Sequence, residues 1–298
     1  MNRIMTKQPL MVWLIIFCTL FVSCGDDEIT PSDNNYLIDF PQGNHDYDRE
    51  IVDIYTQYGT QMLYRYNPAM MRWQVTDMLG YICRQAEEAY VGQAVSFIKH
   101  NCLDFYHPDS LRKYLPYRIY LASDLGRIFE YSGLDAAGNN VSQKDTLWHT
   151  AASYGYANLC FGLASNRLPQ LSGDSLQLAK GELNACLLAY AVEQGLIIIP
   201  STFTKEEVQG TVWYNYVGSY NTFGLLEYIE AKTMKPVQDF ALFLKYLIAY
   251  PAEKFNEKFT NSSFDTSGRI AKKASIVRQW MKEEYGIDVE QMAETDIQ

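Results

Sequence analysis

Residues 175–193 have the sequence SLQLAKGELNACLLAYAVE, a pattern that is typical of a long helix. Its apolar residues recur every three or four positions and would lie along one helical face: Ala179, Leu183, Cys186, Leu187 and Tyr190. Asp174 can cap the first turn, Gln177 can reach back to it as in a capping box, and Gly195 provides a stop. We therefore predict a helix over residues 175–193 that packs against the core through this stripe.

Helical patterns outnumber strand patterns on both sides of this segment. Further helices are predicted at residues 46–57 with Asp46 as cap, 87–102, 108–115, 236–250 and 270–285, with shorter ones after Pro251 and near the capping-box pair of Thr204 and Glu207. Strands are predicted at residues 61–67, 117–121 and 156–164, and residues 126–145 as mostly loop because of their glycines and asparagines. With no internal repeat or break in composition, the sequence predicts one helix-rich α+β domain with a small mixed sheet.

The N-terminus has the features of a cleaved signal peptide. Arg3 and Lys7 precede an uncharged apolar run over residues 10–22, and about 13 residues are too few for a membrane-spanning helix, which needs about 20. Residues 20–24, LFVSC, resemble the lipobox of bacterial lipoproteins, in which the cysteine is acylated and becomes the first residue of the mature chain. The resemblance implies that Cys24 is the lipid attachment site and holds the protein at a membrane. Ordinary secretion with cleavage nearby is the alternative.

A polar segment separates Cys24 from the predicted domain. Residues 25–28, GDDE, resemble the export signal that directs Bacteroidota lipoproteins to the outer cell surface, although a short acidic run also suits a solvated tether. We expect a signal peptide at residues 1–23, a lipidated tether at 24–44 and a single domain at 45–298. The expected location is the outer membrane, with the domain exposed at the cell surface.

Charge and cysteine content limit the classes of function. The formal net charge is −10, and removing the two cations of the signal peptide makes it −12, which disfavours nucleic acids and anionic lipid surfaces as partners. The domain contains four cysteines that could form disulfides in an oxidising compartment or stay buried as thiols: Cys83, Cys102, Cys160 and Cys186. The 23 tyrosines suit a sugar-binding surface, and they suit the rim of a core equally well.

Five segments share their order and approximate spacing with a known family. They are residues 51–55 (IVDIY), 62–66 (MLYRY), 115–121 (LPYRIYL), 237–241 (VQDFA) and 274–289, which ends in YGIDV. Together they resemble the zinc metallohydrolase (metallopeptidase) lipoproteins that Bacteroidota encode beside their SusC/SusD nutrient importers. The resemblance covers most of residues 46–294, and it implies a zincin-like, metallopeptidase-type domain.

The chemistry of that family depends on HExxH, in which two histidines bind zinc and the glutamate activates a water molecule. No HExxH occurs in this sequence. Spacing from the neighbouring segments puts the corresponding helix on residues 180–187. If the motif falls on residues 181–185, Glu182 would stand for the general base and Gly181 and Ala185 for the ligands. The alternative register on residues 187–191 retains none of the three residues. The resemblance therefore implies a degenerate member without the zinc cofactor.

One acidic residue of the family's second conserved segment is retained. Asp239 stands in this segment, while Gln238 and Leu242 replace the glutamates on either side of it. We accordingly expect Glu182 and Asp239 to be vestiges of a lost site.

Other catalytic motifs are weak or missing. Residues 149–153, HTAAS, lie too early in the chain to be a decayed HExxH, and His100 and His107 flank Cys102 closely enough for a chance metal site. The nucleophile elbow, the P-loop and the dinucleotide fingerprint do not occur in the sequence.

Functions of three different classes are compatible with the sequence. The leading hypothesis is a non-catalytic relative that binds a glycan, a peptide or a component of a SusC/SusD-type importer and assists nutrient uptake. The alternative is an active peptidase or glycosidase that uses a carboxylate pair, either Glu182 with Asp239 or Glu227 with Glu230. A third possibility is a purely structural role against other envelope proteins.

Overall fold

A computed structural model describes residues 39–73, 80–134, 137–205, 217–228 and 235–297. The predicted signal peptide, Cys24 and most of the predicted tether lie outside these ranges, as do Glu207 and Glu230. Residues 40–298 form one compact unit. Helices dominate it around one small sheet of parallel and antiparallel strands, which confirms the predicted helix-rich α+β class.

The sheet is organised around one long strand, β3 (Arg118–Leu134). Its first half pairs in parallel with β1 (Gln61–Leu63) and β6 (Asn158–Phe161), and β5 (Ala152–Tyr154) lies antiparallel at the edge beside β6. Its second half pairs antiparallel with β2 (Tyr81–Gln85) and β4 (Asn140–Leu147). The consecutive residues Ile119 to Ala122 are all buried, as expected for the part of a strand that is covered on both faces.

The prediction of a loop over residues 126–145 is wrong. β3 continues to Leu134 and returns as β4, with Arg127 opposite Leu147 and Leu134 opposite Asn140. The local composition did indicate a turn, but only residues 135–139 lie between the two strands. Many side chains of this ribbon are exposed, so its pairing comes from backbone ladder bonds, which leave little trace in the hydrophobic pattern. The other predicted strands are present with shifted ends.

The main predicted helices are confirmed, with ends that differ by a few residues. The helices are α1 (Asp46–Tyr58), α2 (Pro68–Trp73), α3 (Val91–Asn101), α4 (Pro108–Tyr114), α5 (Gly173–Glu193), α6 (Ser201–Thr204), α7 (Pro236–Ala249), α8 (Ala252–Phe255), α9 (Arg269–Tyr285) and α10 (Val289–Glu294). Two predicted caps are wrong because each helix begins earlier: His45 caps α1, and Ser172 stands at the N-cap of α5. Thr204 is the last residue of α6, and Glu207, its predicted capping-box partner, lies outside the described residues.

The helix α5 is buried on more than the predicted stripe. Lys180, Gly181, Asn184 and Leu188 are buried together with the stripe residues Leu183 and Leu187, because α7 packs along one side of α5 and the sheet lies on another. The buried ammonium of Lys180 donates to the carbonyl oxygens of Met292 (2.8 Å) and Thr295 (3.1 Å). Lys180 of α5 thus links the core to residues 292–295, more than a hundred residues later in the chain.

The four cysteines of the described ranges are all thiols. Of the two alternatives for these residues, disulfides or thiols, the structure therefore has thiols. Within the same ranges, no helix is both long and apolar enough to cross a membrane.

Candidate functional site

Glu182 lies on α5 where this helix faces the edge strand of the sheet. Its Oε1 accepts hydrogen bonds from the backbone N–H groups of Ala151 (3.0 Å) and Ala152 (3.3 Å), at the start of β5. Burial raises the pKa of Glu182, while Lys245 and these two N–H groups lower it in part. Glu182 is thus a positioned carboxyl group whose protonation lies closer to neutral pH than that of an exposed glutamate.

Lys245 joins Glu182 to a second carboxylate, that of Glu227. Its ammonium lies 3.2 Å from Glu227 Oε1 and 3.9 Å from Glu182 Oε2, and the Tyr246 hydroxyl donates to the same Glu227 oxygen. Burial and the contact with Glu227 raise the pKa of Tyr246. We call Glu182, Glu227, Lys245 and Tyr246 the carboxylate cluster.

The sequence analysis named Glu182 and Glu227 but missed Lys245 and Tyr246. Both lie on α7, which crosses α5 closely, and that crossing is what places them beside Glu182. The only local trace of it is Gly181, a residue that permits the close approach of two helices.

Gly181 marks the point where the two helices are closest. A Cβ atom at this position would lie 2.2 Å from the carbonyl oxygen of Lys245 and 2.9 Å from Cβ of Ala249. The space that a histidine at this position would need is therefore filled by the backbone of α7. Ala185, at the second predicted ligand position, is also buried.

Residues 181–185, on which the sequence resemblance would put HExxH, do not fit a zinc ion. Neither Gly181 nor Ala185 has a donor atom on its side chain, and the helix crossing leaves no room beside Gly181. In the alternative register, Leu187 and Ala191 are fully buried and apolar. Across the described residues, no group of three or more histidine, cysteine, aspartate or glutamate side chains could hold a metal ion.

Asp239 belongs to a separate buried site. Its side chain is fully buried and forms an ion pair with Lys273 of α9, which is also fully buried. Six residues, or about 9 Å of helix axis, separate Asp239 from Lys245 along α7. The structure thus does not bring Asp239 together with Glu182, and no substrate can reach it. Its neighbour Gln238 is exposed and bonds to the backbone of Lys235 at the start of the helix.

The histidines named in the sequence have other contacts. His100 Nδ1 lies 2.9 Å from Asp104 Oδ2, and His107 caps α4 by accepting from the Asp109 N–H group. Between them in sequence, the thiol of Cys102 is buried, which raises its pKa. Within residues 149–153, Ala152 and Ser153 begin the strand β5. The segment is therefore not a helix, as HExxH would require, and its rejection as a zinc motif agrees with the structure.

Comparison with known proteins gives one structural similarity. No protein-family model matches the chain, and no curated protein matches it. A crystal structure from Bacteroides caccae ATCC 43185, provisionally described as a zinc-binding metallo-peptidase, is similar at 14% sequence identity with a TM-score of 0.49. The similarity covers 83% of this chain and 88% of that chain. No residue role or activity is carried over from that protein.

Proposed function

We propose that this chain is a lipid-anchored envelope protein that binds its target without cleaving it, as an accessory component of nutrient or glycan uptake. In this proposal it is a relative of the zinc metallohydrolases in which the metal site has been lost. The observation that supports the proposal is the helix crossing at Gly181, where the backbone of α7 occupies the space that a histidine side chain would need.

The position of Glu182 supports the same reading. A general base must reach a water molecule or substrate, but one oxygen of Glu182 already accepts two backbone hydrogen bonds and the other faces Lys245. These contacts join α5, α7 and β5. Glu182 therefore acts as a link between three elements of the fold.

Metal content is the direct test. The full chain is purified in detergent without chelators, and its zinc is measured by inductively coupled plasma mass spectrometry. We expect far less than one zinc ion per chain. Stoichiometric zinc that survives dialysis would contradict the proposal. The variant His100→Ala is the control, since zinc that disappears with it would come from a surface histidine.

The anchor is tested separately. Replacing the acylated residue, Cys24→Ser, should move the protein from the membrane fraction to the soluble fraction and abolish labelling with palmitate. Accessibility of the domain to protease on intact cells distinguishes the outer surface from the periplasm. A Cys24→Ser protein that stays in the membrane fraction would refute the lipid anchor.

A hydrolase remains the second candidate because of one observation. Glu182 and Glu227 approach the same ammonium group of Lys245, and burial raises the pKa of Glu182. Glycoside hydrolysis uses a pair of carboxyl groups held close together. Turnover of peptide or polysaccharide libraries that disappears in Glu227→Gln, but not in the exposed control Glu257→Gln, would establish this candidate. Saturable binding without turnover would exclude it.

A further inference from the structure

A cluster of polar and aromatic side chains surrounds Asp124, which contacts His149 in the segment that precedes β5. It comprises Asp124, Arg84, Arg167, His149 and Trp148, and we call it the Asp124 cluster. Arg84 on β2 lies directly opposite Asp124 on β3, next to an irregularity in the pairing of the two strands. Such bulges redirect side chains and are over-represented beside functional sites.

Asp124 holds the cluster together. Its side chain is 10% exposed. Its Oδ1 accepts from the N–H groups of Leu125 (3.0 Å) and His149 (3.2 Å), and it lies 3.1 Å from His149 Nδ1 and 3.2 Å from Arg167 Nη1. One oxygen of the carboxylate, Oδ1, therefore positions Leu125, His149 and Arg167.

His149 has a strained backbone. Its φ is +76°, and it has the only positive φ among the non-glycine residues of the described ranges. A left-handed conformation at such a residue costs about 1–3 kcal/mol and persists only where the surroundings enforce it. Here Asp124 enforces it through both the backbone N–H and Nδ1. In the neutral imidazole, Nδ1 donates to the carboxylate and Nε2 is then a hydrogen-bond acceptor, on a side chain that is 59% exposed.

Arg84 is held mainly by stacking. Its guanidinium lies 4.3 Å from the centre of the Trp148 ring, while the nearest Asp124 oxygen is 3.8 Å away, beyond hydrogen-bond distance. Trp148 is in turn supported by Gly126, where a Cβ atom would lie 2.9 Å from the ring. The side chain of Arg84 is 65% exposed, so its donor groups remain accessible while its plane is fixed.

The cluster carries more positive than negative charge. Two guanidinium groups face one carboxylate in a protein whose formal net charge is −10. Guanidinium groups of this kind bind planar carboxylates through paired hydrogen bonds, and the adjacent imidazole Nε2 can accept a bond from a hydroxyl group. Anion-binding and hydroxyl-binding atoms thus occur side by side on a fixed surface.

We infer that the Asp124 cluster binds the carboxylate of a hydroxylated small acid, as presented by a uronic acid in an acidic saccharide. Arg84, together with the partly exposed Arg167, holds the carboxylate, and His149 Nε2 accepts from a neighbouring hydroxyl. The inference rests on the proposed binding function and gives it a site and a ligand class.

Isothermal titration calorimetry of the full chain at low ionic strength tests this inference. The probes are galacturonate, neutral galactose, cyclohexanecarboxylate, which lacks the hydroxyl groups, and a dipeptide with a free carboxylate. We expect saturable binding of galacturonate and none of galactose. Arg84→Gln should weaken galacturonate binding by about tenfold or more, the effect of losing one charge-assisted contact. His149→Gly, which tolerates the positive φ, should abolish the preference for galacturonate over cyclohexanecarboxylate.

Arg112→Gln is the matched control, because Arg112 is also an exposed arginine beside an aspartate. It should leave the affinity for galacturonate unchanged, and circular dichroism should show all three variants folded. Failure of galacturonate to bind the wild type, or unchanged binding in Arg84→Gln, would overturn the inference. Tighter binding of the dipeptide would overturn the assignment to a sugar acid. The metal and turnover measurements decide the proposed function independently of these results.

Discussion

The buried ion pair between Asp239 and Lys273 allows a sharp test of what stabilises the packing of α7 against α9. Both side chains are fully buried. The Lys273 ammonium also donates to the Gly224 carbonyl oxygen (3.1 Å) and lies 4.5 Å and 4.9 Å from the ring centres of Phe203 and Phe243. Removing either member should destabilise the protein strongly, whereas replacing both with apolar residues should not.

The two single variants should differ in size. Removing one partner of a buried pair typically costs about 3–5 kcal/mol, because the other charge is left without compensation. In Asp239→Ala, Lys273 keeps one carbonyl oxygen and two aromatic faces, so we expect a loss near the lower limit, about 3 kcal/mol. In Lys273→Met, Asp239 loses its ion-pair partner, and among the described residues its Oδ1 has no hydrogen bond in the wild type. We therefore expect a loss near the upper limit, about 5 kcal/mol.

The pH dependence of the free energy of unfolding identifies the origin of the loss in stability. Burial raises the pKa of Asp239, and Lys273 lowers it in part. Without Lys273 the folded-state pKa rises further, so the folded protein binds the proton more strongly than the unfolded chain does. Stability of Lys273→Met should therefore be greatest at acidic pH and fall as the pH rises through the raised pKa.

Urea unfolding followed by tryptophan fluorescence measures these effects, with Lys272→Met as the control because Lys272 is an exposed neighbour. The control should lie within about 0.5 kcal/mol of the wild type. Asp239→Leu combined with Lys273→Met should recover most of the loss. With Asp239→Leu and Lys273→Met as the two single variants, the cycle should give a coupling free energy of several kcal/mol. Single variants that each cost less than about 1 kcal/mol and add up in the double variant would refute the reasoning.

Three further predictions follow from buried residues. Gly181→Ala should lower the free energy of unfolding by about 1–3 kcal/mol, because its Cβ would push α5 and α7 apart. The control Gly92→Ala, whose Cβ would contact only Tyr47, at 3.3 Å, should leave the free energy of unfolding nearly unchanged. Calorimetry measures both variants, and equal stabilities would contradict the prediction. Burial lowers the pKa of Lys180 to about 8 from 10.5. Between these two pH values the unfolded chain binds the extra proton, so as the pH rises the free energy of unfolding of the wild type should increase by up to about 3 kcal/mol relative to that of Lys180→Met. Parallel pH profiles of the two proteins in urea unfolding would disprove the prediction. A reducing agent should leave the melting temperature unchanged, because the cysteines of the domain are thiols, and a large drop would reveal a disulfide.

Local signals were sufficient to predict most of the helices. Pro108 and Pro236 stand at the first positions of α4 and α7, and Gly286 ends α9 in a left-handed conformation. Each of these boundaries can therefore be predicted from a residue that lies at it. The β3–β4 ribbon was missed because its pairing depends on two distant segments finding each other, while its composition resembles that of a loop.

The candidate site was predictable only in part, for a related reason. Glu182 could be named from its place in a helix, but its partner Lys245 lies on another helix, and the crossing that joins them depends on Gly181. In the same way, the partner of Asp239 lies 34 residues later in the chain. The Asp124 cluster needs the strand register of β2 and β3 and the unusual backbone of His149, neither of which has a signature in a single sequence.

The bonds from Lys180 to the last helix have a consequence for the order of assembly. Lys180 is synthesised more than a hundred residues before its acceptors, the carbonyl groups of Met292 and Thr295. Until those carbonyls arrive, burying α5 would leave an ammonium group without hydrogen bonds, at a cost of several kcal/mol. Burial of α5 and docking of residues 289–295 are therefore coupled, because only their carbonyl groups satisfy the Lys180 ammonium in the described residues.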